Sequence, residues 1–314
     1  MLPIILLVAA GIYVGWNIGA NDTANCVGTA VGSGLISYGK AVILIAIFII
    51  LGASIQGERV VETIGKSIVI EVIPVSAIII ALLSAGAFVT MATYLKLPVS
   101  TSQAIVGGVT GVSLSVGANV AWDEVLSIIL CWIINPIATL VIAYGLYHIL
   151  NALARRVRRI RVWERFIAAL LVVTICYMAY SLGANHAGNA MGPIANLGII
   201  KLRWLAIIGG LSIAFGSLTY GHRVSETVGK SITLLDPITA CAAQLSIAIV
   251  VHIFSILGIP VSTSQAIVGG VIGVGLVRGV TAINRSIIIK IIIGWIATPL
   301  ISAMLAFLIY KAVT

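Results

Sequence analysis

Asp22 is the first residue along the chain that could do chemistry. It lies in Gly19-Ala20-Asn21-Asp22-Thr23-Ala24-Asn25, and no other charged residue precedes Lys40. An ionisable side chain in an apolar segment is costly and points to function. Asp22 could coordinate Na+, exchange a proton, or accept a hydrogen bond from a protonated anion. Asn21, Asn25 and freed backbone carbonyls would complete an oxygen ligand set for a hard cation. The structural alternative is an aspartate that caps a helix end at the membrane interface. Glycines at 15, 19, 28, 32 and 34 predict a broken helix here.

A second candidate is Pro98-Val99-Ser100-Thr101-Ser102-Gln103 followed by Gly107-Gly108. Proline fits the first turn of a helix, where its missing N–H costs nothing. Ser100, Thr101 and Ser102 then offer hydroxyls beside free backbone N–H groups. A helix N-terminus of this kind favours an anion. The alternative is that small residues serve close helix packing. A third candidate is Glu62-Thr63, with Arg59 and Lys66 at helical spacing. It reads equally as cation coordination or as charge pairing along one helix.

Each motif occurs twice, in the same order. Pro98 to Val109 recurs unchanged at Pro260 to Val271, which adds Ser262, Thr263 and Ser264. Arg59 to Ile68 recurs at Arg223 to Ile232, with Glu226 and Thr227. Gly19 to Asn25 recurs as Gly183-Ala184-Asn185-His186-Ala187-Gly188-Asn189. Self-similarity on this scale divides the chain into halves, a first repeat at 1–154, a basic linker at 155–162 and a second repeat at 163–314. His186 stands where the first copy has its acid, which allows anion contact or proton transfer. Trp132 with Trp295, and Pro136 with Pro299, also correspond and read as packing or interface landmarks.

The elements that carry these motifs follow from composition. The 314 residues are 61% hydrophobic and 9% charged, too little charge to cover a water-facing surface. That excludes a soluble enzyme, a nucleic-acid binder and a disordered chain, so no nucleic acid is expected as partner. Spanning helices need about 20 apolar residues each. Segments are predicted at 2–20, 41–57, 72–95, 99–118 and 125–150, then 166–183, 204–221, 237–257, 261–277 and 286–310. The N-terminal run lacks a basic leader region and reads as the first span. The four cysteines lie far apart in apolar stretches and read as core residues. Most of the 18 Lys and Arg fall in the odd-numbered loops, including the cluster between Arg155 and Arg165. The positive-inside rule then places those loops in the cytoplasm and both termini outside the cell membrane.

The expected fold class is an all-α polytopic membrane protein. About ten transmembrane or re-entrant segments would form two inverted-topology repeats, with broken helices and hairpins at the substrate site. Five crossings per half invert the second repeat. Were segments 99–118 and 261–277 each hairpins by themselves, the number would be even and the repeat parallel.

The motifs also carry a resemblance. The paired Gly19–Asn25 and Gly183–Asn189 blocks, with the two Pro-Val-Ser-Thr-Ser-Gln hairpins, resemble those of the inorganic phosphate transporter (PiT) family, which includes sulfate-permease-like relatives. The likeness covers nearly the whole chain. It implies import of inorganic phosphate coupled to Na+ or H+ by alternating access, with sulfate as the alternative substrate. It implies an anion site at Ser100, Thr101, Ser102, Ser262, Thr263, Ser264, Asn21, Asn185 and His186. Cation coupling would involve Asp22, Asn25, Asn189, Glu62, Thr63, Glu226 and Thr227, with Asp22, Asn25 and Asn189 as candidate Na+ ligands. No cofactor other than the coupling ion is expected, and a homodimer is a candidate assembly. His186 replaces the family's usual second aspartate, and Gln103 and Gln265 stand where many members have histidine. An anion channel is a competing reading. An intramembrane enzyme using Ser100 and His186 lacks a third orienting residue, so the chain is expected not to be an enzyme.

Overall fold

The computed structural model describes residues 2–32, 37–94, 99–157, 159–231, 236–278 and 285–314. The side chains of residues 24, 25, 27–32, 222–231, 278 and 285–291 lie outside the described set. Those residues form ten α-helices. The first half contributes α1 (Leu2–Gly32), α2 (Tyr38–Glu62, continued by a π-helical turn at Thr63–Ser67), α3 (Val75–Tyr94), α4 (Thr101–Val116) and α5 (Trp122–Arg156). The second contributes α6 (Ile160–Ala195), α7 (Leu202–Ser231), α8 (Pro237–Ile256), α9 (Thr263–Arg278) and α10 (Arg285–Val313). Eight helices are long and apolar enough to cross a membrane, whereas α4 and α9 have only 16 residues each. At 1.5 Å per residue, each of these two reaches about 24 Å, less than the hydrocarbon thickness.

The halves interlock. α1 lies along α7 and α2 along α6, while α4 packs on α10 and α9 on α5. Every one of these pairs joins opposite halves, and each has its counterpart under exchange of the halves. The contacts repeat residue by residue. A Cβ on Gly19 would stand 1.9 Å from the Ile213 carbonyl oxygen, and one on Gly183 would stand 2.0 Å from that of Ile49.

These glycines correct one expectation. α1 runs as continuous helix to Gly32, through Gly15, Gly19 and Gly28. Gly15 and Gly19 do not break it; Gly19 lets the α7 backbone approach closer than any side chain permits, and Gly15 makes room for the Ser212 side chain of α7. The departure from α-helical geometry falls instead on the π turn of α2.

Direction can be read from the same contacts. Gly11 abuts Ala190, Met191 and Ile194, while Asp22 faces His186, so α1 and α6 run antiparallel. That is the relation an inverted repeat demands. α3 and α4 together make a single hairpin whose outer ends lie on one face. The Ile70 N–H donates to Asn119 O at 3.2 Å, and the Ala121 N–H donates to Ile68 O at 3.0 Å. In the second half, Ala240 and Val274 share an apolar cluster with Leu150 and Ile167, which brings the outer ends of α8 and α9 together. Pairing α3 with α4 leaves three crossings per half (α1, α2 and α5). Three is odd, so hairpins coexist with inversion, contrary to the even count expected for hairpins made by 99–118 and 261–277 alone.

The basic linker is short. α5 and α6 extend into it from either side, leaving 157–159 between them. Lys96, which sequence alone assigns to a loop on the basic face, lies outside the described residues.

Candidate functional site

The two hairpin turns meet inside the protein. α4 runs parallel to α10, since Gly107 abuts Pro299 and Gly111 abuts Ala303. α9 runs parallel to α5, since Gly269 abuts Pro136 and Gly273 abuts Leu140. The short helices therefore point to opposite faces, with their N-termini together at the centre. The Ser102 hydroxyl donates to the Val261 carbonyl at 2.8 Å, joining one turn to the other. Ser100, Thr101, Ser102, Ser262 and Thr263 are all buried. Ser100 and Ser262 act as helix caps, each accepting from the N–H of the glutamine three residues on, Gln103 or Gln265, at 3.3 Å. Such capping is what Ser-x-x-Gln does at a helix start. Ser262 and Ser264 hydroxyls lie 2.8 Å apart.

Around this junction stand the duplicated motifs of α1 and α6. Asp22 is 4% exposed and hydrogen-bonds to Thr263 of the opposite half. His186, its counterpart, is fully buried, with Nδ1 3.4 Å from the Thr101 hydroxyl. The pattern is thus reciprocal. Each hairpin threonine meets the corresponding side chain from the other half. Asp22 Oδ2 lies 3.8 Å from His186 Nδ1, too far for a hydrogen bond. Asn189 donates from its amide nitrogen to Ser102 Oγ at 2.7 Å and contacts His186 Nδ1 at 2.9 Å.

The predicted residues are not all brought together. Asp22, His186, Asn189 and the two hydroxyl triplets converge. Asn185 is near, but its polar atoms are spent on the second hairpin. Its amide nitrogen donates to Ser255 Oγ at 3.2 Å and Ile259 O at 3.0 Å, and its oxygen accepts from the Val261 N–H at 3.1 Å. It therefore positions the turn. Asn21 donates to Thr93 Oγ1 at 2.6 Å, at the inner end of α3. Glu62 lies on the exposed face of α2, 3.8 Å from Lys66, in the charge-pairing arrangement. Thr63 bonds back to Arg59 O and packs beside Gly258 of the second turn. The side chains of Asn25, Glu226 and Thr227 lie outside the described residues.

Sequence reasoning passed over Asn135 and left Trp132 as a packing or interface landmark. Asn135 is fully buried on α5 and donates to Ser262 O at 2.8 Å. Of its two readings Trp132 follows packing: it is buried, and its indole N–H donates to Pro260 O at 3.0 Å. A lone asparagine in an apolar helix was the available signal. It was not duplicated, because Thr298 occupies the corresponding place in α10.

The three Asn185 hydrogen bonds give a direct expectation. At about 1 kcal/mol per bond, Asn185→Ala should destabilise the protein by about 2–3 kcal/mol. Thermal unfolding in detergent would register this as a lowered midpoint. An unchanged midpoint would show that the turn is held without Asn185.

Among the described residues no group of three His, Cys, Asp or Glu could hold a metal ion. A buried site with one carboxylate, several hydroxyls and two helix N-termini suits a small oxyanion with a monovalent cation better than a bound transition metal. Known proteins agree with that chemistry. Residues 18–164 and 154–306 match the phosphate transporter family. A Pyrococcus furiosus protein named "Putative phosphate permease" is 32% identical, covering 99% of this chain and 96% of its own length. A Methanocaldococcus jannaschii protein with the same designation is 32% identical over 96% of this chain and 95% of its own. A solved structure described as the sodium-dependent phosphate transporter superposes with a TM-score of 0.90 at 26% identity, covering 100% of this chain and 99% of that one. Duplicated motifs, hairpin geometry and these likenesses converge on one conclusion: this multi-pass membrane protein belongs to the phosphate transporter family.

Proposed function

We propose that the protein imports inorganic phosphate together with Na+ by alternating access, across the cell membrane and with both termini outside. The observation that carries this reading is the buried meeting of the α4 and α9 N-termini beside Asp22. Two helix dipoles present their positive ends to one point, and unpaired N–H donors accompany them. A phosphate there would take donors from Ser100, Thr101, Ser102, Ser262, Thr263 and Ser264, with Asn21 at the margin. Na+ would take oxygens from Asp22, Asn25 and Asn189, neutralising charge that the anion brings. Glu62, Thr63, Glu226 and Thr227 would act further out, along the path of the cation.

The sodium-dependent neighbour supports Na+ over H+ as the coupling ion. The junction of the turns through Ser102 and Val261 closes the centre. An anion reaches it only when the hairpins part, which is the movement alternating access requires. The charge count supports this orientation: the loops between α1 and α2, α5 and α6, α7 and α8, and α9 and α10 carry most of the Lys and Arg of the sequence.

Phosphate is favoured over sulfate by proton count. At neutral pH phosphate still carries a proton to donate, and Asp22 is an acceptor. A site built to accept a hydrogen bond rejects an analogue that lacks the donor. Labelled phosphate uptake into proteoliposomes should therefore keep more than half its rate under about tenfold excess sulfate. Equal competition by sulfate would replace this reading with a sulfate permease of the same family.

A further inference from the structure

The amide of Asn189 is held in one orientation by its neighbours. Ser102 Oγ spends its hydrogen on Val261 O at 2.8 Å. Towards Asn189 at 2.7 Å it can then only accept. The Asn189 atom facing it is therefore the amide nitrogen. The second hydrogen of that nitrogen goes to His186 Nδ1 at 2.9 Å, so Nδ1 is an acceptor and the imidazole is neutral. A flipped amide would set oxygen against the Ser102 oxygen, which has no hydrogen left to give. With both donors used, Asn189 Oδ1 remains, buried and without a hydrogen-bond partner among the described residues. An orphaned buried carbonyl oxygen is costly, and a cation satisfies it.

We infer that His186 is a positioning residue, whose Nδ1 fixes the Asn189 carboxamide so that Oδ1 serves as a cation ligand. This rests on the Na+ coupling proposed above. It also explains why a histidine can occupy the place that Asp22 holds in the first half. The second half contributes a neutral oxygen, aligned by the imidazole, where the first contributes a charged one. His186 itself then touches neither ion. Its role differs from the anion contact expected from sequence: Nδ1 is committed to Asn189 and flanked by Thr101 and Asp22, while Nε2 is buried without a hydrogen-bond partner among the described residues.

The test compares His186→Leu with His186→Asn in proteoliposomes of the full chain. Initial phosphate uptake is measured against Na+ concentration, and phosphate KM is measured at saturating Na+. Leucine removes the acceptor. Asparagine restores one, because its Oδ1 sits at the same distance from Cβ as Nδ1. H186L should raise the Na+ half-saturation about tenfold, the value of one lost hydrogen bond. Phosphate KM should move less than about twofold, and H186N should stay within about twofold of the wild type on both measures. If H186L does not reach the membrane, H186F keeps the ring volume without the acceptor and makes the same comparison. An unchanged Na+ dependence in H186L or H186F overturns the inference, as does a loss in H186N equal to that in H186L. A larger shift in phosphate KM than in Na+ half-saturation does so too, returning His186 to the anion site. A wild type that needs no Na+ overturns the coupling reading and this inference together, whereas an insensitive H186L in a Na+-dependent wild type overturns the inference alone.

Discussion

Asp22→Asn should abolish Na+-driven phosphate uptake and leave the folded protein in the membrane. Asp22 is 4% exposed and bonded across the halves to Thr263. Among the described residues it is the one acidic side chain in the central cluster. Asparagine matches its shape and keeps one acceptor oxygen, so packing against His186 and the second hairpin is preserved. What disappears is the negative charge that balances a cation in a medium without water. Losing a charged partner in a buried site costs about 3 kcal/mol or more, which corresponds to a rate or affinity loss of at least about a hundredfold. Uptake by purified variant and wild type should be compared at equal reconstitution, with size-exclusion profiles as the folding control. Full activity in the variant would remove Asp22 from the mechanism.

The second large effect is mechanical. Gly269→Ala and Gly107→Ala should each fail to fold normally or lose most of their stability. A Cβ at Gly269 would stand 2.1 Å from the Pro136 carbonyl oxygen, and one at Gly107 would stand 2.3 Å from that of Pro299. In both cases the obstacle is backbone, which cannot rotate aside. Overpacking of this kind costs about 1–3 kcal/mol where the structure can shift and more where it cannot. The displaced element is the short helix whose N-terminus forms the anion site, so transport should fall further than stability alone accounts for. Gly145→Ala is the control, because nothing lies within 4 Å of its Cβ position on α5. A helical glycine with open space at its Cβ position gains about 0.5–1 kcal/mol on that change. Thermal midpoints for the three variants separate the cases. Equal behaviour of Gly269→Ala and Gly145→Ala would refute the close-packing account.

The same glycines show where the sequence runs out of information. A glycine in an apolar helix can break it or admit a neighbour's backbone, and the choice depends on a partner elsewhere in the chain. Gly19 packs on Ile213 and Gly183 on Ile49, contacts no local pattern reveals. The duplicated hydroxyl and Asn/Asp motifs were legible because an identical copy of the first and a recognisable copy of the second are visible by eye. So were all ten segments, since charge clusters at helix ends. Their pairing was not legible. That α3 and α4 form one hairpin depends on the Ile68–Ile70 backbone meeting Asn119–Ala121, and the crossing number follows from it. Asn135 escaped notice because duplication was the filter and Thr298 replaces it. Glu62 attracted notice by the same filter, yet it is exposed beside Lys66. Repetition marks what both halves need, which includes scaffolding as well as ion contacts.

The central claim is that a Na+ gradient drives phosphate inward through a closed, alternately opened site. The most direct measurement is phosphate accumulation in proteoliposomes with Na+ outside only, compared with equal Na+ on both sides. The account predicts transient accumulation above the external concentration under the gradient, saturating with phosphate and collapsing when a Na+ ionophore is added. Uptake that merely equilibrates, at a rate indifferent to the Na+ gradient and without saturation, would contradict it and favour an anion channel.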